Sequence, residues 1–404
     1  MKILQLTNKP PYPPRDGGSL AMFGMAKALK SLGHEIVVLT MFTDKHRLKL
    51  EQHKEFSKIM EVHTVYVNTI VNHTGMLMNL LFSKKPYTAT RFYSRVYANE
   101  LAKLLQSRHF DFVQLEGLYL TPYIPVIRKY SDSKIVLRAH NIEHEIWERI
   151  AHEEKVYYRK RYFSIVAQRV MDFEYKALNT YDLLVPITER DLLKFKSMGN
   201  LKPAHVSPAG VDINPECSRD EVPSMPGTGF SLFYLGSLDW IPNQEGLVWF
   251  TTHVFPKLRR KYHDLRLHVA GRNAPMLLIS KIVQPGVVYH GEINDPDRFT
   301  REHTALIAPC FSGSGMRLKI IEAMALAKPV ITTTMGAEGL SAVNGKHLFI
   351  ADDPDNFSQV TEMLINDRDL CISTGKEAWK FVCEHYNNRD IAVSLAAFYN
   401  NYMK

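Results

Sequence analysis

Lys2-Ile-Leu-Gln-Leu-Thr7, the loop Pro10-Pro-Tyr-Pro-Pro-Arg-Asp-Gly-Gly18, a helical pattern over Ser19–Leu32, and Glu35-Ile-Val-Val-Leu-Thr40 decide the fold. The two apolar runs read as buried strands, and Gly33-His34 closes the helix between them. Strand, loop, helix and strand in so short a span make a βαβ unit, which builds a parallel sheet covered by helices on both faces. Working outward, Thr64–Val67, Phe112–Leu115, Lys134–Arg138 and Leu183–Pro186 are further strand-sized runs, with helical patterns between them.

The pattern then restarts. Residues 215–229 are rich in Pro, Gly, Ser and charge and carry no periodicity. Beyond them come Ser231–Leu235, Arg266–Ala270, Val287–Tyr289, Ala305–Ala308, Pro329–Thr332 and Leu348–Ile350, again alternating with helix-sized spans, and residues 356–404 read as helical throughout. The expected architecture is α/β, with two doubly wound parallel-sheet (Rossmann-like) domains. The first is expected over 1–212, a linker over 213–229, the second over 230–375, and terminal helices over 376–404 that pack back on the first domain. In such folds ligands sit outside the carboxyl ends of the strands, so the cleft facing both domains is the expected site.

At 404 residues, with 23% charged and 45% hydrophobic, the chain has ordinary globular usage, which excludes disorder, collagen-like repeats and a fibrous coiled coil. Cys217, Cys310, Cys371 and Cys383 are widely spaced, so neither a disulfide framework nor a cysteine zinc site is expected, and a reducing cytoplasm is the expected compartment. No acidic or histidine pair shows ligand spacing, so no metal is expected. No run approaches the roughly 18 apolar residues of a spanning helix, so membrane contact would be peripheral, at the surface. Charge is unevenly placed. Residues 1–200 hold 30 Lys and Arg against 20 Asp and Glu, whereas the remainder holds 20 against 22. A basic half points to an anionic partner.

The chemistry concentrates in Ala308-Pro-Cys-Phe-Ser-Gly-Ser-Gly-Met-Arg-Leu-Lys-Ile-Ile-Glu322. It reads as strand, glycine loop and helix. Gly313, Ser314 and Gly315 permit close backbone approach, and a helix starting at Met316 offers free N–H groups to an anion. Arg317 and Lys319 would stand in its first turns, where cations oppose the helix dipole unless an anion binds nearby.

The run from Gly313 to Thr332, with Glu322-Ala-Met-Ala and Lys328-Pro-Val, resembles the donor signature of the family-four retaining glycosyltransferases of GT-B fold (glycosyl transferases group 1). Gly17-Gly18, Gly210-Val-Asp212, Phe233-Tyr-Leu-Gly-Ser-Leu-Asp-Trp-Ile-Pro-Asn243 and Met335-Gly-Ala-Glu-Gly339 resemble further landmarks of that family, in the same order along nearly the whole chain. The resemblance implies a metal-independent enzyme that moves a sugar from a nucleotide-diphosphate donor, UDP- or GDP-linked, without a further cofactor. The acceptor it implies is a glycan or lipid-linked glycan in cell-surface polysaccharide synthesis. It assigns Glu322 to the ribose hydroxyls, and Gly17 and Gly18 to the donor phosphate. His140, just past a strand end, is assigned to the transferred sugar in preference to His144, which starts the next helix.

The chain departs from that pattern in two places. Ser314 stands where the family has its first glutamate, and Gly236-Ser-Leu-Asp-Trp240 lacks the usual Arg and Lys for the diphosphate. Arg317 and, first, Lys319 are the expected replacements, because a single ammonium reaches a phosphate without bidentate geometry. Arg272 follows a strand of the second domain and is a candidate for the nucleotide pocket; Glu116 also follows a strand end. These departures motivate one alternative, a non-catalytic homologue that binds a nucleotide sugar or glycan.

Basic and aromatic residues interleave over Lys155–Phe163, and Lys84-Lys85 follow the apolar run Met76–Phe82, a pattern that suits anionic lipid headgroups and a nucleic-acid backbone equally; the family resemblance favours an anionic membrane surface. Nucleic acid is not an expected partner, since no reading module is recognisable.

Overall fold

The computed structural model describes residues 1–14, 16–213, 229–313 and 315–403. Most of the expected linker 213–229, and with it Cys217, lies outside the described residues, as does Ser314. Two compact units emerge. One comprises Met1–Ala209 together with Asn388–Lys404, and the other Gly210–Asn387.

In the first unit, β1 (Lys2–Thr7), β2 (Glu35–Phe42), β3 (Glu61–Tyr66), β4 (Phe112–Glu116), β5 (Lys134–Ala139) and β6 (Leu183–Pro186) form one sheet in the order β3-β2-β1-β4-β5-β6. Every pairing is parallel, with Leu4 opposite both Val37 and Val113. Successive side chains alternate across the pleat. Leu4, Leu6, Val37, Leu39, Val113, Leu115 and Leu137 pack into one core with Tyr97 and Tyr123. Ile3, Val38, Phe112 and Val136 pack on the opposite face against Met25 and Leu29 of the helix Gly17–Ser31 and Leu395 and Tyr399 of the helix Asn388–Asn400. That second face changes character along the strands. Its next residues are Gln5 and Thr7, Gln114 and Glu116, and Arg138, so the apolar layer becomes a buried polar layer toward the carboxyl ends.

Two details hold the terminal helix in place. Tyr399 stacks on Phe112 with ring centroids 4.6 Å apart, and its hydroxyl donates to Gln114 Oε1 at 2.6 Å. A Cβ on Gly24 would come 2.8 Å from Asn388 Nδ2, so this glycine permits the close crossing of the two helices. The expected terminal block 376–404 is divided between the units. The helix Arg368–His385 stays with the second, and only Asn388–Lys404 joins the first.

The second unit repeats the topology. Its strands β7 (Ser231–Leu235), β8 (Arg266–Ala270), β9 (Val287–Gly291), β10 (Ala305–Ala308), β11 (Val330–Thr332) and β12 (Phe349–Ile350) run in the order β12-β11-β10-β7-β8-β9. Both sheets therefore reverse strand order beside their first strand, between β1 and β4 and between β7 and β10. In doubly wound sheets a crevice opens outside the carboxyl ends at that reversal, and the loops leaving those strands carry the ligand-binding residues. No described helix is long and apolar enough to cross a membrane.

Candidate active site

In the second unit the reversal falls between the loop after β7 and the glycine loop after β10. Gly313 and Gly315 take φ of 89° and 81°, a region open to glycine at little steric expense. This loop holds the chain out of helix for longer than the sequence suggests. The helix runs Leu318–Ala325, with Met316 ahead of it and Arg317 at the N-cap, so Arg317 is not in a helical turn as expected. Its side chain folds back instead. Nε donates to Cys310 Sγ at 3.3 Å, Nη2 to the Ser312 carbonyl at 3.4 Å, and Nη1 to the Gly315 carbonyl. Arg317 thereby ties the glycine loop together.

Lys319, in the first turn, points to β7. Its Nζ donates to Tyr234 Oη and Asn243 Oδ1, both at 3.0 Å, and lies 4.2 Å from the centre of the Tyr234 ring. An ammonium carries three donors, and these bonds engage two. Burial pushes its pKa down to about 7. Glu322 follows one turn later on the same helix, the spacing that makes helical neighbours. It has no hydrogen-bond or ion-pair partner among the described residues, and burial, with a contribution from Asp297, pushes its pKa up to about 7.

Arg272 reaches the same place from the loop after β8. Its Nε donates to Ser237 Oγ at 3.2 Å, and its carbonyl accepts from the Leu238 amide at 2.9 Å. Gly271 makes the approach possible, since a Cβ there would sit 2.1 Å from the Gly236 carbonyl oxygen. The Ser237 carbonyl in turn accepts from Asn243 Nδ2 at 2.8 Å. Arg272, Ser237, Asn243 and Lys319 thus form one chain of contacts across the carboxyl end of β7. The loop after β7 carries no cation of its own before Lys257, but two arrive from other elements. A separate cavity, lined by Arg259, Arg266 and Gly286 among others, opens at the amino ends of β8 and β9 and lies at the wrong end of the sheet for this chemistry.

In the first unit, Gly17 and Gly18 are the first two residues of the helix that follows β1. Asp16 caps it, accepting from the Ser19 amide at 2.9 Å and from Lys9 Nζ at 2.6 Å. Burial acts to raise the Asp16 pKa, but Lys9 and the Ser19 bond hold it down at about 2. The glycines are helical rather than left-handed, so their contribution is an open, side-chain-free helix N-terminus.

Beside this helix, strand register places Glu116 opposite Arg138 on β4 and β5. Arg138 is fully buried and donates from Nη1 to the Ala21 carbonyl at 3.0 Å and to Glu116 Oε2 at 3.5 Å. Gln5 and Gln114 both donate to Glu116 Oε1, at 2.6 and 2.5 Å. His140 Nε2 lies 2.6 Å from Glu116 Oε2. Burial acts to raise the Glu116 pKa; the Arg138 charge and the His140 bond outweigh it and hold it at about 2. An ionised Glu116 accepts the Nε2 proton of His140 and so holds the ring in one orientation. The His140 side chain keeps 17% of its surface exposed, against 4% for His144. His144 is instead locked to Glu174, with Nδ1 2.5 Å from Oε2.

Sequence reading names no metal set, yet the fold gathers three histidines of the second unit. His268, His290 and His303 each present a nitrogen within 4.8 Å of the other two. Burial, with the charges of His268 and His290 adding, pushes the His303 pKa down to about 4, so the ring is neutral at ordinary pH.

Comparison with known proteins agrees with this geometry. Residues 229–367 match the family model described as Glycosyl transferases group 1. A protein described as an uncharacterized 44.6 kDa protein in the cps region of Klebsiella pneumoniae is 23% identical, over 98% of both chains. The capsular polysaccharide biosynthesis glycosyltransferase CapM of Staphylococcus aureus is 31% identical over 122 residues, 30% of this chain and 32% of CapM. Among solved structures, Anabaena HepE in complex with UDP and glucose superposes with a TM-score of 0.68 at 12% identity, covering 99% of this chain and all of HepE. Residues 229–367 accordingly match the glycosyl transferases group 1 model, and the chain has the two-sheet GT-B fold of HepE.

Proposed function

We propose that the chain is a retaining, metal-independent glycosyltransferase that takes a nucleotide-diphosphate sugar on its second unit. The acceptor is a glycan or lipid-linked glycan in cell-surface polysaccharide synthesis. The observation that carries the reading is the pair Lys319 and Glu322, a half-buried ammonium and a half-buried carboxylate one turn apart, each without an ionic partner among the described residues. A nucleoside diphosphate supplies what each lacks. Vicinal ribose hydroxyls donate to the Glu322 carboxylate, and a phosphate oxygen accepts from Lys319. Arg272 and the open N-terminus of the Leu318–Ala325 helix add positive potential as charge builds on the leaving diphosphate. Arg317 shapes the glycine loop that admits the phosphates.

In the transfer itself, the bond from the anomeric carbon to the diphosphate oxygen breaks. A bond to the acceptor oxygen forms on the same face, and the acceptor proton passes to the departing phosphate. His140, aimed by Glu116, is assigned to the transferred sugar. The family resemblance assigns Gly17 and Gly18 to the donor phosphate. The UDP complex of HepE makes UDP the first nucleotide to test, with GDP second, and the capsule-related descriptions of two relatives support polysaccharide synthesis.

A membrane-borne acceptor agrees with the surface of the first unit. Leu77, Met78, Leu81 and Phe82 are exposed on the helix His73–Phe82, just before Lys84 and Lys85. Tyr157 and Tyr158 are exposed at the start of the helix Tyr157–Ala177, beside Arg159, Lys160 and Arg161. Arg169 joins the two helices by donating to the Asn79 and Leu80 carbonyls, at 3.2 and 2.7 Å. Apolar side chains ringed by cations suit an anionic lipid surface.

Calorimetric titration with UDP, GDP, ADP and CMP tests the donor assignment. One nucleoside diphosphate binds at a single site, and Glu322→Ala weakens it. No binding by any of the four overturns the reading.

A further inference from the structure

We propose that His268, His290 and His303 form a binding site for a divalent transition-metal ion of the zinc class, independent of the donor site. The three residues come from β8, from β9 and from the position just after the helix Pro296–Glu302. His268 Nδ1 and His290 Nε2 are 3.0 Å apart, and all three ligand nitrogens fall within 4.8 Å of one another. Zinc–nitrogen bonds of about 2.0–2.1 Å in tetrahedral array separate ligand nitrogens by roughly 3.3 Å. Binding an ion exchanges the His268–His290 hydrogen bond for two metal bonds and turns the stacked His268 and His303 rings so that their nitrogens converge.

A second observation is independent of that spacing. His303 is buried, and its Nε2 has no hydrogen-bond partner among the described residues. Buried polar atoms are rarely left in that condition, and a metal ion is one of the partners that satisfies them.

The surroundings select the ion. The rings of His268 and His303 stack with centroids 4.0 Å apart, and Phe299 meets His303 and His290 edge-on at 4.6 and 5.3 Å. The nearby Glu302 carboxylate is taken by Arg298 Nε at 2.9 Å. The donor set is therefore imidazole without carboxylate, which suits zinc, cobalt, nickel or copper and not magnesium or calcium. Because β9 is the edge strand and His290 is exposed, an ion enters from solvent and keeps a position for water. His303 stands at the amino end of β10, opposite the glycine loop, so the ion clips the sheet edge and takes no part in the donor chemistry.

The test uses untagged full-length protein stripped with a chelator and then titrated with zinc chloride, with cobalt chloride as the spectroscopic probe. Wild type binds one equivalent, melts at a higher temperature with zinc, and shows the visible absorption of tetrahedral cobalt. His290→Ala alters an exposed residue and keeps the metal-free melting temperature, yet weakens zinc binding by about tenfold or more. His268→Gln gives the same result from the neighbouring strand. The proposal is overturned if wild type shows no saturable binding. It is overturned equally if either folded variant retains wild-type affinity, which places the metal on other histidines.

Discussion

The carboxyl ends of the two sheets handle buried charge in opposite ways. In the first unit, Glu116 is fully covered but meets Arg138, His140, Gln5 and Gln114, and it stays ionised with a pKa of about 2. In the second, Lys319 and Glu322 are half-buried without an ionic partner among the described residues, and burial drives both toward neutrality, each to about 7. Compensated charge belongs to a scaffold that is finished before any ligand arrives. Uncompensated charge lowers the stability of the empty protein and is recovered when a complementary ligand binds. The comparison therefore separates residues that position from residues that bind.

The largest effect should come from breaking the compensated side. Glu116→Ala leaves the Arg138 guanidinium buried without its carboxylate and should destabilise the first unit by about 3–5 kcal/mol, read from urea denaturation. The pH dependence has the matching sign. The Glu116 pKa is depressed on folding, so its stabilisation is complete above the ordinary value of 4.5 and is lost as pH falls toward about 2.

Next in size is Lys319→Ala. Its expected outcome is a loss of transfer rate on the order of 10²–10³ with no loss of melting temperature in the absence of donor. A variant that melts lower and keeps its rate would place Lys319 among the structural residues.

A smaller effect sharpens the contrast through pH. With Glu322 and Lys319 holding the nucleotide as proposed, binding needs the first ionised and the second protonated, so affinity should peak near pH 7 and fall on both sides. In Glu322→Gln the acid-side fall should disappear and the alkaline one should remain, as calorimetry across pH would show.

The smallest expected change concerns the surface. Leu81→Ser with Phe82→Ser should leave stability within about 0.5 kcal/mol of wild type. Binding to anionic vesicles, read by co-sedimentation, should fall roughly three- to tenfold, and added salt should weaken what remains.

Strand positions were legible because parallel strands buried on both faces are short apolar runs, and β1 and β6 begin and end where those runs do. The Leu318–Ala325 helix was less so. The left-handed glycines at 313 and 315 delay its start past Met316 and Arg317, and a sequence pattern does not show how long such a loop holds. Lys319 and Arg272 were visible as candidates, but their shared task was not. The contacts linking them through Ser237 and Asn243 join residues as far as 76 positions apart. The Glu116–Arg138 pairing depends on the register of β4 with β5, and the histidine trio on β9 lying beside β8. None of these is a spacing along the chain. Each exists only after the sheets have formed.

The most direct test of the central claim is thermal unfolding of wild type and Glu322→Gln at a pH above 7, with and without saturating UDP. Removing an uncompensated carboxylate should leave the empty variant melting at or above wild type, while most of the UDP-induced rise is lost. An empty variant that melts below wild type and keeps the full rise would contradict the account, because Glu322 would then support the fold and not the ligand.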